Sequence, residues 1–290
     1  MTAPSGYESW PRVANAIPTM VEDGYVCAVH LFGPIRIVRE GVLIEGGWRR
    51  KALELLAFLA VHPSGVAKDQ ILEALWPEGD PRETQRHLWH SVSHLRRRLG
   101  GPANAVRLII KTDDSYRLDL GKVWVDVAAF ESAVRQAEDS SAAAECLRAA
   151  CSIYKGEFCE GRYFGWATLF EERHKGLFVS AAKGLSVHLK ECGELEQSLL
   201  LLNGALEVDP YDEDLCRRAM TLDAQRGRHD QVVRRFRRLR RLLLTELDVE
   251  PSSETLLTFR DLVGEVKQPA YSLGEVSPSP FSGARSSTRD

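Results

Sequence analysis

The sequence predicts a mainly α-helical chain with a small β component, arranged as a β-containing N-terminal module followed by an all-α helical module. Three observations carry this. Short alternating or β-rich runs occur only before about residue 126. A well-capped helix with a basic outer face stands just before a hairpin pattern. From Asp126 onward, helical stripes follow one another with no strand signal between them.

A length of 290 residues, 44% hydrophobic and 27% charged, suits roughly two domains, each with its own core. The expected division is a flexible N-terminus at 1–26, a first module at 27–122, a second at 123–266 and a disordered Ser/Pro/Gly-rich tail at 267–290. The net charge of −3 excludes a uniformly basic binder and hides an asymmetry. Residues 28–122 hold 15 Lys/Arg against 11 Asp/Glu, whereas 123–266 hold 19 against 25. A basic module in front suits a polyanion and an acidic one behind suits protein contacts, although charge blocks of this size also arise by chance. Six cysteines without a C-x-x-C pair read as small hydrophobes rather than zinc ligands or a disulfide framework. With no leader pattern and no long apolar run, the chain is expected to be cytoplasmic, nucleoid-associated and without a membrane partner.

The elements follow in order. Residues 28–46 alternate Val29/Leu31, Ile35/Ile37 and Val42/Ile44 around Gly33-Pro34 and Glu40-Gly41, which predicts an antiparallel meander. Leu53, Leu56, Ala57 and Ala60 give 48–62 a helical stripe, stopped by Pro63-Ser64-Gly65. A short helix over 67–76 ends before Pro77. The next helix has Asp80 as N-cap, Pro81 at its first position, Glu83 in its first turn and Gly100-Gly101-Pro102 as its stop. Residues 106–120 read as a hairpin turning at Asp113-Asp114. Seven helices are then expected, at about 126–138, 141–155, 167–191, 195–208, 212–226, 229–246 and 253–265. Gly193 and Gly227, like Gln197 and Gln231, stand 34 residues apart, the tetratricopeptide period. The second module is therefore expected to be a tetratricopeptide-like (TPR-like) bundle.

The helix over 82–99 is the candidate site. Leu88, Val92, Leu95 and Leu99 share one stripe; Arg86, His90, Ser93 and Arg97 lie opposite, with His94 beside them and Trp89 and Arg96 on one flank. The order helix, turn, capped basic helix, hairpin is that of a winged helix-turn-helix, whose second helix fits the major groove of DNA. Arg49, Arg50 and Lys51 at the start of the first helix and Lys68 at the start of the second are candidate phosphate anchors.

The strings LFGPIRIVREGVLIEGGWRRKALELLAFLAVHPSGVAKDQILEALWPEGDP, HSVSHLRRRL and YRLDL resemble the OmpR-type winged-helix DNA-binding domain, with its four-stranded N-terminal sheet, three helices and C-terminal wing. Together with VDVAAFESAV, WATLFEERHKGL and GRHDQVVRRFRRLRRLLLTELDVEPSSETL, the whole of 28–265 resembles the SARP family, the Streptomyces antibiotic regulatory proteins, including their bacterial transcriptional activator domain. The resemblance implies a transcriptional activator that binds tandem direct repeats in double-stranded DNA near a promoter's −35 region. It further implies recruitment of RNA polymerase holoenzyme, through its sigma and alpha subunits, to antibiotic and secondary-metabolite genes. A homodimer formed or stabilised on the DNA is expected. By position, recognition-helix contacts fall on Arg86, Trp89, His90, Ser93, His94 and Arg97; phosphate, wing or support roles fall on Arg96, Lys111, Thr112 and Arg117. The chain departs from the family at Ser115 and Asp248, where Gly is usual, and at Thr112, where a minor-groove Arg is frequent. Asp113 and Asp114 oppose phosphate at the wing tip. Lacking G-x-x-x-x-G-K-[ST], the chain resembles the small stand-alone members.

Other readings stay open beside this one. A repressor would use the same helix, and a helical-repeat adaptor with a degenerate DNA-binding module would not bind DNA at all. The run RRFRRLRR (234–241) reads either as a solvated helix pairing with the acids at 212–214 or as a contact with DNA or polymerase. Phe158, Tyr163, Trp166, Phe170 and Phe178 could line a ligand pocket, but the expectation is core between the first activator-domain helices. His87, His90 and His94 lack a completing carboxylate or Cys, so neither a metal nor a cofactor is expected, and no enzyme motif is present.

Overall fold

A computed structural model describes residues 24–100, 107–139 and 142–264. The expectations for 1–26 and 267–290 lie outside these residues, apart from 24–26. Strands β1 (Cys27–His30), β2 (Arg36–Arg39) and β3 (Val42–Leu43) form the anticipated meander. The fourth strand of this sheet comes from elsewhere: β7 (Val123–Val125) pairs parallel with β1, giving the order β3-β2-β1-β7. A second sheet, β4-β6-β5, sets β4 (Val66–Ala67) against the wing hairpin of β5 (Ile109–Thr112) and β6 (Ser115–Leu118).

Helices α1 (Arg50–Ala60), α2 (Lys68–Leu75) and α3 (Pro81–Leu99) follow the meander in sequence, with β4 between α1 and α2. The sequence gives α1 an amphipathic stripe, yet every residue from Ala52 to Ala60 is buried. One side of α1 meets α2 and α3, and its C-terminal end meets the second module: Phe58 stands edge-on to Trp166 at 4.9 Å and His62 to Phe170 at 5.5 Å. Glu54, 5% exposed, tolerates this because Lys51 pairs with it at 2.9 Å.

Among the described residues seven helices follow: α4 (Asp126–Asp139), α5 (Ala143–Ile153), α6 (Thr168–Glu191), α7 (Leu195–Val208), α8 (Glu213–Gln225), α9 (His229–Glu246) and α10 (Ser253–Gly264). Consecutive helices pack on each other. The 34-residue spacing marks two equivalent hairpin turns. Gly193 (φ +79°) and Gly227 (φ +71°) both adopt the left-handed conformation. Each closes the same C-cap: Glu194 N–H donates to Leu189 O and Gly193 N–H to Lys190 O, and Arg228 and Gly227 repeat this on Asp223 and Ala224.

One buried apolar cluster runs from β1 through the three-helix unit and on to α8, while α8, α9 and α10 enclose a second. The β-containing part and the helical part are therefore packed on a shared core. Asp126 fastens the seam. Its Oδ2 accepts from Leu31 N–H (2.7 Å) and Phe32 N–H (2.9 Å), and its Oδ1 from Val127 N–H at 2.8 Å. Gly33 and Gly156 let two backbones cross there, since a Cβ on Gly156 would stand 3.1 Å from Gly33 Cα. Of the aromatics expected as core, Phe158 and Phe178 are buried, but Tyr163 is 78% exposed and Trp166 packs on α1.

Candidate nucleic-acid interface

The cap of α3 forms as its sequence requires. Asp80 Oδ1 accepts from the N–H groups of Arg82 (2.9 Å) and Glu83 (3.2 Å), and Pro81 takes a first-turn position that needs no donor. Thr84 is buried and its hydroxyl donates to Asp80 O at 3.0 Å. The turn must stay small, because a Cβ on Gly79 would approach Thr84 Cγ2 to 2.2 Å. At the other end, Arg96, Arg97 and Arg98 complement the negative pole of the helix.

The expected stripe of Leu88, Val92, Leu95 and Leu99 is buried. Opposite it, Arg86, His90, Ser93 and Arg97 are exposed, and Trp89 is 64% exposed despite its size. Arg86 reaches Glu83 only at 3.5 Å with both side chains in solvent, a contact too weak to hold it. These five residues form a continuous donor-rich face on which the Trp89 indole stands edge-on to the His90 imidazole at 5.0 Å.

His94 is a correction. The sequence places it beside the outward face, but it is 7% exposed. The segment before α1 folds over that flank of α3, putting Trp48 edge-on to the imidazole at 6.1 Å. Neither ring nitrogen has a hydrogen-bond partner of good geometry among the described residues. Burial, then the charges of Arg49, Arg97 and Arg98, hold the pKa below the usual histidine value, so His94 is a neutral core residue.

The anticipated phosphate anchors divide in the same way. Arg49 and Arg50 are exposed at the start of α1. Lys51 is not free: its ammonium donates to Leu75 O, pairs with Glu54 and lies 5.4 Å from the Trp76 ring centre, so it fastens α1 to the end of α2. Lys68 is half-buried as the first residue of α2, and its N–H donates to Asp114 O at 2.6 Å. Arg96 supports rather than contacts: its guanidinium donates to Ile109 O at 3.1 and 3.3 Å, tying α3 to the wing. Lys111 and Thr112 are exposed on β5, and Arg117 on β6. Asp113 (φ +47°) and Asp114 form the exposed tip.

Sequence reasoning missed the group that sets the base of α3. Arg98 donates to Gly46 O at 2.6 Å and lies 4.9 Å from the Trp48 ring centre, while Arg39 donates to Arg98 O at 3.2 Å. These partners lie 50 or more positions apart in sequence, so no local pattern announces them.

Residues 125–262 match the family described as the bacterial transcriptional activator domain. That match spans the helical part of the chain, from β7 to α10. It is similar to the transcriptional regulatory protein MoaR1 of Mycobacterium bovis (strain BCG / Pasteur 1173P2), with 23% identity over 232 residues, 77% of this chain and 75% of the relative. MoaR1 of Mycobacterium tuberculosis (strain ATCC 25618 / H37Rv) matches at 24% over 238 residues, with the same coverage of each chain. Among solved structures, Mycobacterium tuberculosis EmbR in complex with a low-affinity phosphopeptide shares the fold, with a TM-score of 0.65 at 22% identity. That match covers 84% of this chain and 66% of EmbR, just under two thirds of its length.

Within the activator domain, the arginine run does not pair as expected. Asp212 and Asp214 are taken by Lys183, at 2.7 and 3.4 Å, and Asp214 also by Arg217 and Arg218. Arg235 instead meets the buried Asp223 at 2.6 Å, and Arg240 meets Glu250 at 2.8 Å. Groups of His, Cys, Asp and Glu able to hold a metal are absent among the described residues, and no described helix is long and apolar enough to cross a membrane.

Proposed function

We propose that this regulator is a non-enzymatic, sequence-specific DNA-binding activator. It lays α3 in the major groove and presents Arg86, Trp89, His90, Ser93 and Arg97 to base edges and the adjoining phosphates. The observation that carries this reading is the outward face of α3, held open by a cap, a buried stripe and the Arg96 link to the wing. Arg49, Arg50, Lys111 and Arg117 supply phosphate contacts that set register without reading sequence. Two copies bind head to tail on direct repeats about one helical turn apart, roughly 10–10.5 bp. The activator domain, TPR-like in its hairpin repeat, recruits polymerase through sigma and alpha at antibiotic or secondary-metabolite promoters. A second reading, the DNA-independent adaptor, draws support from the acidic wing tip at Asp113 and Asp114.

Footprinting on the promoters flanking the gene, across a salt series, tests this. Protection of tandem repeats beside a −35 element, weakening steeply as salt displaces the protein from phosphates, is the expected result. Folded protein that protects nothing at any salt rejects it in favour of the adaptor. Protection that overlaps the start site and silences transcription identifies a repressor.

A further inference from the structure

The outer face of α9 has no part in the reading above. Val232, Phe236, Leu239 and Leu243 turn inward. At 100° per residue, Arg234, Arg237, Arg238 and Arg241 fall together on the opposite side. Their i, i+3, i+4, i+7 spacing lines four guanidinium groups along one strip about two turns long. All four are exposed. Arg234 approaches Asp230 at 3.7 Å in open solvent, while Arg237, Arg238 and Arg241 have no ion pair among the described residues. Like charges one turn apart weaken a helix, so folding alone gives no reason for the strip. It is also conspicuous in a module whose residues are otherwise rich in Asp and Glu.

The strip has apolar neighbours. A cavity of about 270 Å³ lies beside it; Leu206, Pro210, Cys216, Leu239 and Leu242 form its apolar lining, and Asn203, Glu207, Arg235 and Arg238 its polar rim. Toward the C-terminal end of the helix, Leu244 is 39% exposed and Leu247 51%. A phosphate backbone offers no apolar group for such features, whereas an amphipathic protein segment does.

We propose that the outer face of α9 docks an acidic, amphipathic segment of a partner protein, its carboxylates on the arginine strip and an apolar side chain in the adjoining cavity. Arginine forks match carboxylates in pairs and fix register. The charged strip steers encounter, and the apolar side chain seated in the cavity provides most of the affinity. This assignment does not depend on the DNA-binding reading.

The test uses the full chain and a fluorescein-labelled synthetic peptide with Glu at i, i+3, i+4 and i+7 beside a Leu/Phe face, followed by anisotropy. A control peptide keeps every Glu and replaces Leu and Phe by Gln. The expected result is binding of the first peptide, at least about tenfold weaker binding of the control, and a similar loss in Arg237→Gln/Arg238→Gln/Arg241→Gln. That variant should keep wild-type helicity and a Tm no lower, since it relieves repulsion on an exposed face. Equal affinity of variant and wild type, or of the two peptides, overturns the proposal. So does a variant whose DNA affinity loses about three from its salt slope, which places these arginines on phosphates instead. Wild-type protein that binds the peptide but no DNA rejects the activator reading and leaves this one standing.

Discussion

Arg97 and His94 lie three positions apart on α3 and have opposite surroundings. Arg97 is exposed on the outward face of α3, so on the proposed docking Arg97→Ala should weaken specific DNA binding by about 1–3 kcal/mol if it reads a base. Titration of the footprinted site by gel shift measures this, and an unchanged affinity removes Arg97 from the contact set. His94 is enclosed and neither ring nitrogen has a hydrogen bond of good geometry among the described residues, so His94→Leu should leave DNA affinity within error and leave stability unchanged or higher. A gel shift alongside a urea melt checks both halves. The sequence separated Arg97 correctly by helix phase but misplaced His94, because phase alone cannot say how far a neighbouring segment wraps around a helix. Trp48 closes that flank.

At the scale of elements, α3 and its approach turn show how closely local chemistry and packing can be tied. The Asp80 cap and Pro81 are legible in the sequence, and the helix begins where they stand. Gly79 reads only as part of a turn, yet the space for its Cβ is already occupied by Thr84. Gly79→Ala should therefore cost about 1–3 kcal/mol by forcing the turn away from the helix. It should also lower DNA affinity, because the same turn aims α3. Thermal unfolding and the gel shift report the two effects, and a variant of wild-type stability would show that the turn is free to relax. Helix α1 teaches the complementary point. Its stripe correctly predicts one buried face, but burial all round follows from Trp166 and Phe170 arriving on another side, which periodicity within α1 does not encode.

For the whole molecule, the seam between the two modules makes a testable pH signature. Burial pushes Asp126 up to about 7, more strongly than its three backbone N–H donors pull it down. An acid whose folded pKa exceeds its unfolded value binds more protons when folded, so this group's contribution to stability falls as pH rises from about 4 to about 7. His30 opposes it: burial, then Arg36, lower it to about 4, so its contribution rises with pH from about 4 to about 6.5. The two nearly cancel in the wild type. Asp126→Asn should thus uncover stability that climbs between pH 5 and 7, read as the urea midpoint across that range. At pH 5, where the wild-type carboxyl is itself protonated, the variant should lie within about 1 kcal/mol of wild type, because amide and neutral acid each place one donor among the three backbone N–H groups. Parallel pH profiles for variant and wild type would show that Asp126 does not titrate there.

The order of the helices, the meander and the hairpin, the caps and stops of α3, its buried stripe and most of its outward face were legible in the sequence, whereas the short strands β4 and β7 were not. The sequence also carries the 34-residue echo that places Gly193 and Gly227 at equivalent turns. Those features depend on residues within a turn or two of each other, where periodicity and capping are strong signals. Packing between distant segments settled that β7 completes the first sheet, that Lys51 and Arg96 fasten elements together, and that Arg98 and Trp48 seat α3. It likewise decided that Asp126 joins the two halves and that part of the arginine run on α9 faces solvent unpaired. Each of these is set by groups distant in the chain that meet through packing, where the identity of the neighbour, and not the local pattern, fixes whether a charge is anchored, buried or free.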